Sequence, residues 1–544
     1  MSKTIPRAGV QMIRRIASAL LLVTPSLLAQ QAAAPPPLYT DLGTHHKAVG
    51  TRVPVAQQYF DQGLRLVYGF NHAEAIRSFT RATELDSTCA MCWWGIAYAY
   101  GPHVNAGMDS ASGVKAYQAA QKALSQSRNG SPSEQAYARA ISARYTAVPP
   151  ANRAKLDSAY ARAMAEIARK YPDDLDAGAL YAESLMDLRP WNYWTPEGKP
   201  YPGTEKIVRQ LERVIARTPE HPAACHYYIH AVEAVNPQKA VPCAERLARL
   251  MPGVGHMVHM PAHIYIRVGR YKEAAASNVH AIHTDETFIE GQKPTTVYSL
   301  AYYPHNIHFL AFASTMSGQS AQALKAARTL KGKVNLDVAR QVPMLQEMVP
   351  YYVLTLTTFG RWDDVLAEPL PPADIRAPLA MAYYARGVAY AAKGKSAEAQ
   401  MALDTVKAID AATPADAPEK TPVSIAPHAL MGEIATRSGK LDEGIGHFRE
   451  AIKIEDAGLY FEPPKWYYPI RESLGAALLK AGKPAEAEAV YREDLKRFPE
   501  NGWSLFGLAT ALRAQGKSAE AAVVDQRFSK AWSAADIKLA ASRF

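Results

Sequence analysis

The sequence predicts an all-α chain, a solenoid of antiparallel helix pairs, and three observations carry that prediction. Small residues recur 34 apart, from Gly63 to Ala97, Gly475 to Ala509 and Ala487 to Ala521. Inside that period other residues keep fixed offsets. Gly63 is followed at 12, 16 and 19 residues by Ala75, Phe79 and Ala82; Gly475 is followed at the first two by Ala487 and Tyr491, with Pro499 after them; Gly387 is followed by Ala399. Nowhere does a two-residue alternation of apolar and polar side chains compete with this pattern. Such a period, with small residues at set places, means helix pairs whose backbones approach where a larger side chain would clash. With 544 residues and 48% hydrophobic content the chain has ample apolar material for a long core.

The first element is a leader. Arg7, Arg14 and Arg15 precede an apolar run from Ile16 to Ala29, the layout of a secretory signal peptide over residues 1–29. Removing it takes away Lys3, Arg7, Arg14 and Arg15 and no acid, so the formal charge falls from +10 to +6. That gives little support to a nucleic-acid partner. No later stretch reaches the roughly 18 apolar residues of a membrane span, so a periplasmic or secreted chain with no membrane span after signal removal is expected. Residues 30–50, Ala/Pro-rich at first, form a linker and lead-in, and residues 531–544 a C-terminal capping segment.

Export places the four cysteines where pairing is the default. Two local disulfides are expected, Cys89 with Cys92 and Cys225 with Cys243, the latter 18 residues apart, as two antiparallel helices of one hairpin allow. Redox exchange is the alternative for the Cys-x-x-Cys unit. Trp93 stands where haem attachment would need His, so no haem is expected.

Between these ends the array runs over residues 51–530. Trp93 and Tyr100 mark a first helix, and Gly-Arg-Tyr-Lys-Glu-Ala at 269–274 and Gly-Lys-Pro-Ala-Glu-Ala at 482–487 mark turns into second helices. In this the chain resembles the tetratricopeptide repeat family, as an exported, His-rich member. The resemblance implies a right-handed superhelix of about twelve helical hairpins with a concave groove. Two Gly-Lys-Ser triplets, at 394–396 and 516–518, lack the glycine of a phosphate loop five places earlier, where Ala389 and Ala511 stand. They are inter-helix turns, and no nucleotide is expected.

Ten of the sixteen histidines fall between residues 221 and 308. With the key Gly or Ala of each repeat numbered 8, His256, His259 and His263 take positions 2, 5 and 9. His305 and His308 take 2 and 5 of the next repeat, and His226, His230 and Glu233 take 5, 9 and 12 of the preceding one. At about 100° per residue these positions form one stripe, roughly 130° around the helix from the packing stripe. The histidines are therefore not expected in the core, and the family resemblance implies that they line the concave groove. First helices packed about 8–10 Å apart would let neighbouring imidazoles converge on a transition metal, Zn, Cu, Fe or Ni. The number of ions stays open.

Other groups flank this stripe. Glu183 and Asp187, and Glu347 on the other side, are candidates for hydrogen bonds to ligand imidazoles, and Arg267 for neutralising an anionic ligand group. His280 and His283 are expected to face solvent, while His45, His46, His72, His221, His428 and His447 follow no usable pattern. Three insertions carry aromatic side chains: Trp191, Tyr193, Trp194 and Tyr201; Tyr298, Tyr302 and Tyr303; and Phe461, Trp466, Tyr467 and Tyr468. They would either roof the groove or cover hairpin ends. The expected function is a scaffold binding a peptide, protein or small molecule in its groove, with the metal as anchor or structural clip. The alternative is a metal-dependent hydrolase or oxidoreductase using the same histidines, with Glu233 as ligand or general base.

Overall fold

The computed structural model describes residues 35–544, so the expected leader lies outside the described residues. Among them the regular structure is helical, with isolated bridges at His103–Ala106 and Trp194–Pro200 and no strand. No described helix is long and apolar enough to cross a membrane. Helix starts follow local chemistry. The Asn71 side chain accepts from Glu74 N to open His72–Leu85, Asp174 accepts from Ala177 N to open Leu175–Met186, and Ser131 with Glu134 forms a reciprocal box at Pro132–Ser142. Gly394 and Gly516, the glycines of the two Gly-Lys-Ser triplets, sit between helices at φ of +70° and +74°, where a Cβ is disfavoured.

The repeat is a ring in a slot between two glycines. A Cβ built on Gly63 or Gly95 would lie 2.6 or 2.5 Å from the Phe79 ring, and one on Gly475 or Gly507 would lie 2.3 or 2.2 Å from Tyr491. Gly432 stands in the same relation to Phe448, at 2.6 Å. Each ring is buried, which contributes about 1.5–3 kcal/mol per ring, and larger residues on either side would close the slot. The slot glycines recur 32 residues apart, Gly63 to Gly95 and Gly475 to Gly507, and the 34-residue partners Ala97 and Ala509 sit two residues further along the same buried helices.

Two compact units divide the described chain: an N-terminal unit of residues 35–264 and 280–303, and a C-terminal unit of residues 265–279 and 304–544. The N-terminal unit pairs Pro54–Tyr68 with His72–Leu85, Leu175–Met186 with Thr204–Arg217, and Pro222–Val232 with Val241–Leu250. In the C-terminal unit, Arg376–Ala392 pairs with Ser396–Ala412, Ile470–Lys480 with Pro484–Arg497, and Gly502–Ala514 with Ser518–Ala531. The segment after Ala531 packs on this second unit. Asp536 accepts from Ser320 N and Ala321 N at the start of Ser320–Lys333, and the Arg543 guanidinium lies 3.7 Å from the centre of the Tyr468 ring.

Cys89 and Cys92 are joined, but the second expected disulfide is absent. Cys225 and Cys243 are neighbouring buried thiols, and a hydrogen bond between them, with burial, pushes the Cys225 thiol up. The hairpin brings the two helices together as expected. A disulfide also needs its Cβ vectors aligned, which sequence spacing does not provide.

Candidate metal centre

Two short helices of the N-terminal unit present most of the histidines. Pro222–Val232 opens with proline at its first position, where no N–H is missed, and His221 Nδ1 accepts from Ala224 N. His226 and His230 follow one turn apart. Gly255–His259 starts on a glycine because a Cβ there would fall 1.9 Å from Asp285 Oδ1. Pro261, which has no N–H, then breaks the helix, and a new one begins at Pro261–Arg267 carrying His263.

Hydrogen bonds decide which ring nitrogen each imidazole offers. His226 Nδ1 donates to the Tyr68 carbonyl at 2.7 Å. His263 Nδ1 lies 2.8 Å from Glu233 Oε2, and His230 Nδ1 lies 3.2 Å from Glu233 Oε1. A carbonyl and a carboxylate can only accept, so in all three neutral rings the proton is on Nδ1 and the Nε2 lone pair is turned the other way. Metal-bound histidines are oriented by the same kind of outer contact.

Those Nε2 atoms meet others. His226 Nε2 is 3.1 Å from His256 Nε2, and His259 Nε2 is 2.8 Å from His263 Nε2. Two nitrogens this close share a proton or a cation. Ligands bound to one ion at about 2.0–2.1 Å sit roughly 3–3.4 Å apart. His226, His230 and His256 each offer a ligand atom within 4.8 Å of the others, as do His230, Glu233 and His263.

All six groups are buried, none more than 4% exposed. This corrects the expectation that they line an open groove. Every residue of Pro222–Val232 and of Gly255–His259 is buried, so neither helix keeps an open face. Burial is also the main reason that His226 and His256 are held far below the usual imidazole range, with neighbouring histidines adding to it, and that His230 is lowered despite Glu233. Neutral imidazoles are the metal-binding form. Burial pushes the Glu233 carboxyl up, yet His263 and His230 together more than reverse this and hold it ionised.

Phe70 forms much of the cover, with its ring centre 4.5 Å from His226, 5.3 Å from His256 and 6.1 Å from His230. Trp191 lies edge-on to His230 at 5.1 Å and Tyr302 to His256 at 4.8 Å. Phe70 and Trp191 both have left-handed backbones, with φ of 58° and 61°. For bulky residues this costs about 1–2 kcal/mol, and such strain collects where a site needs a particular side chain. The Phe70 loop is pressed close, because a Cβ on Gly69 would lie 2.4 Å from Val254 Cγ1. Tyr298 links the cover to the helix, accepting from His256 N and donating to Asp285 Oδ1.

Several flanking residues have other partners. Glu183 and Asp187 do not orient imidazoles: Asp187 Oδ2 pairs with Arg144 at 2.5 Å, Glu183 lies beside both, and Arg144 also stacks on Tyr160 at 4.5 Å. Both lie at the C-terminal end of Leu175–Met186, but the buried Arg144 guanidinium, from the turn after Pro132–Ser142, captures the carboxylates. Glu347 lies in the C-terminal unit near Lys465 and Tyr351, and burial raises its carboxyl to about 8. In that same unit, Arg267 lies over the Tyr460 ring and donates to the Arg497 carbonyl. There too, His305 packs on Phe309, and His308 is buried against Tyr351 at 4.1 Å, with desolvation lowering it to about 3. Trp194 Nε1 donates to the Ala231 carbonyl, and Tyr303 donates to Glu286. The third aromatic insertion packs within the C-terminal unit, where Tyr467 receives a hydrogen bond from Arg543 and Trp466 lies edge-on to Tyr384. His280 and His283 are exposed, as expected.

Sequence reasoning missed Phe70, Tyr68, His72 and His103. His103 lies 4.6 Å from Phe70 and 4.3 Å from His72, whose Nδ1 bonds the Ala99 carbonyl. These residues lie more than a hundred positions before His226, and no local pattern ties them to it. His45, Asp176 and His221 also offer three donors within 4.8 Å. There Asp176 Oδ1 already takes Tyr68 OH at 2.6 Å and His45 Nε2 at 2.9 Å, with His221 Nε2 at 3.4 Å. Because His221 Nδ1 accepts at the helix cap, its proton is on Nε2 and points to Asp176. Tyr68 and His45 thus occupy Asp176 Oδ1, and His221 Nε2 makes only an electrostatic contact with it.

No protein-family model and no curated protein sequence matches the chain. Among solved structures, a human IFIT1 dimer with m7Gppp-AAAA is 12% identical, covering 97% of this chain and 95% of that one at a TM-score of 0.33. A monomeric IFIT1 mutant with Gppp-AAAA is also 12% identical, covering 89% and 91% at a TM-score of 0.32. Both figures are too low to bear on what this chain binds.

Proposed function

We propose that the mature chain is an exported helical-repeat scaffold with a transition-metal centre inside its N-terminal unit, held by His226, His230 and His256 and extended by His259 and His263. One observation carries this reading. Three buried imidazoles have their Nδ1 protons tied to a carbonyl or to Glu233, which turns their Nε2 lone pairs inward, two of them onto neighbouring imidazoles where a cation can take the place of the shared proton. All-nitrogen donors suit Zn, Cu, Fe or Ni rather than Mg or Ca. The ion would act as a clip joining Pro222–Val232 to Gly255–His259, with the repeat surfaces free for a peptide, protein or small-molecule partner.

A metal-dependent enzyme, hydrolase or oxidoreductase, is the second reading, favoured by one feature. His230 Nε2 has no protein partner, and Trp191, which covers that ring, is 41% exposed on its loop. The loop would then be the way in for a small substrate. Glu233 would serve by positioning His230 and His263, since both its oxygens are engaged by them.

Elemental analysis of the untagged full chain is the test. Stoichiometric transition metal, and a lower melting temperature after chelation that the metal restores, are expected. A metal-free protein whose melting is indifferent to Zn, Cu, Fe and Ni would overturn the proposal.

A further inference from the structure

We infer that the N-terminal unit holds two imidazole-bound transition ions, of the copper or zinc class, rather than one; this rests on the metal centre proposed above. The imidazole donors fall into two sets. His226 and His256 face each other through Nε2 at 3.1 Å, with His230 beside them, and their donor atoms lie within 4.8 Å of one another. Straddling the break at Pro261, His259 from the end of Gly255–His259 and His263 from Pro261–Arg267 face each other through Nε2 at 2.8 Å. The 3.1 Å spacing already matches two nitrogens on one ion at about 2.0–2.1 Å, and the 2.8 Å pair reaches that range by opening a few tenths of an ångström when its shared proton gives way to an ion, so each pair defines its own point of convergence.

Ring separations mark out the two facing pairs, while His230 stands 4.9 Å from His226, 6.2 Å from His256 and 5.6 Å from His263 and joins the first set through its donor atom. Within the pairs the ring centres are 4.9 and 4.7 Å apart; across them, His256 and His259 are 5.9 Å apart and His230 and His263 are 5.6 Å apart. A four-coordinate ion also has no room for five imidazoles.

Glu233 supplies the independent argument. Its Oε1 orients His230 from the first set and its Oε2 orients His263 from the second. A single carboxylate is thus the outer partner of both sets, and its one negative charge is shared between them. The His230 and His263 rings stand 81° apart, so the two lone pairs it directs do not share an axis. The function of such a centre follows from its donors: neutral nitrogen ligands, a single nearby carboxylate and an aromatic cover hold soft or borderline ions in a dry site.

The test is a count. The untagged full chain is stripped of metal, loaded with excess zinc and desalted, and zinc per chain is measured; cuprous ion loaded without oxygen gives a second arm. Two ions per chain are expected. His259→Asn with His263→Asn should leave one, and His226→Asn with His256→Asn should also leave one, with circular dichroism confirming that each variant is folded. One ion in the wild type, lost in either double variant, would mean a single shared site and overturn this inference while leaving the metal centre intact. No ion at all would overturn both. The wild-type count needs no variant, so misfolding cannot hide the answer.

Discussion

Glu233 and Glu183 are both glutamates of the N-terminal unit, both 1% exposed and both on or next to a first helix, yet they face opposite partners. Glu233 divides its oxygens between two neutral imidazoles. Glu183 lies beside Asp187 and the fully buried Arg144, among Tyr98, Tyr160 and Tyr227. The second cluster brings its own cation, while the first is built of groups that take one up. What a buried carboxylate does here depends on the nearest group able to carry positive charge, and less on its place in the repeat.

The largest expected effect comes from breaking the cluster that carries its own charge. Arg144→Met leaves Asp187 and Glu183 buried without a counterion, and chemical denaturation should show a loss of about 3–5 kcal/mol. An unchanged midpoint would mean that the carboxylates are paired by something else. On the other side of the comparison, Glu233→Gln keeps the volume but weakens the hold on two ring tautomers. Metal affinity by competition titration should fall about 10–100-fold with little change in melting of the metal-free chain. Equal affinity would remove Glu233 from the site.

Gly475→Ala tests whether the fold, rather than the site, depends on the ring slot. Its Cβ would meet Tyr491 at 2.3 Å, so a cost of about 1–3 kcal/mol is expected. Gly446→Ala, on an open helix face with nothing within 4 Å, should instead stabilise by about 0.5–1 kcal/mol. If the two changes had the same sign, the slot would not be the unit of packing.

The smallest effect concerns acid. Burial raises the Asp176 carboxyl, but the ring N–H groups of His221 and His45 and the charges of His45 and Lys47 outweigh it and hold the group well below its ordinary value. A depressed carboxyl stabilises the fold above its unfolded pKa, about 3.9, and that contribution is lost as pH falls below it. The stability gap between wild type and Asp176→Asn should therefore be widest near neutrality and close below about pH 4. A gap that widened in acid would reverse the sign of this account.

Much of the helical architecture was legible because it is written at short range. Gly63, Phe79 and Gly95 lie within 32 residues of one another, and caps such as Asn71 act over three residues. The grouping of His226 and His230, or of His259 and His263, is likewise a matter of one helical turn. Burial was not legible. Nothing near His226 announces that Phe70, 156 residues earlier, lies against it, or that Tyr68 accepts its proton. The same holds for Arg144, whose capture of Asp187 joins residues 43 apart.

Helical periodicity, turn glycines and the clustering of imidazoles on one helical stripe belong to the sequence, because the forces that set them act between residues a few positions apart. Whether that stripe stays open or is sealed, which ring nitrogen it offers, which carboxylates reach it, and whether Cys225 and Cys243 bond were decided by tertiary packing. Burial and charge pairing depend on distances in space, and residues far apart along the chain meet only after the helices have stacked.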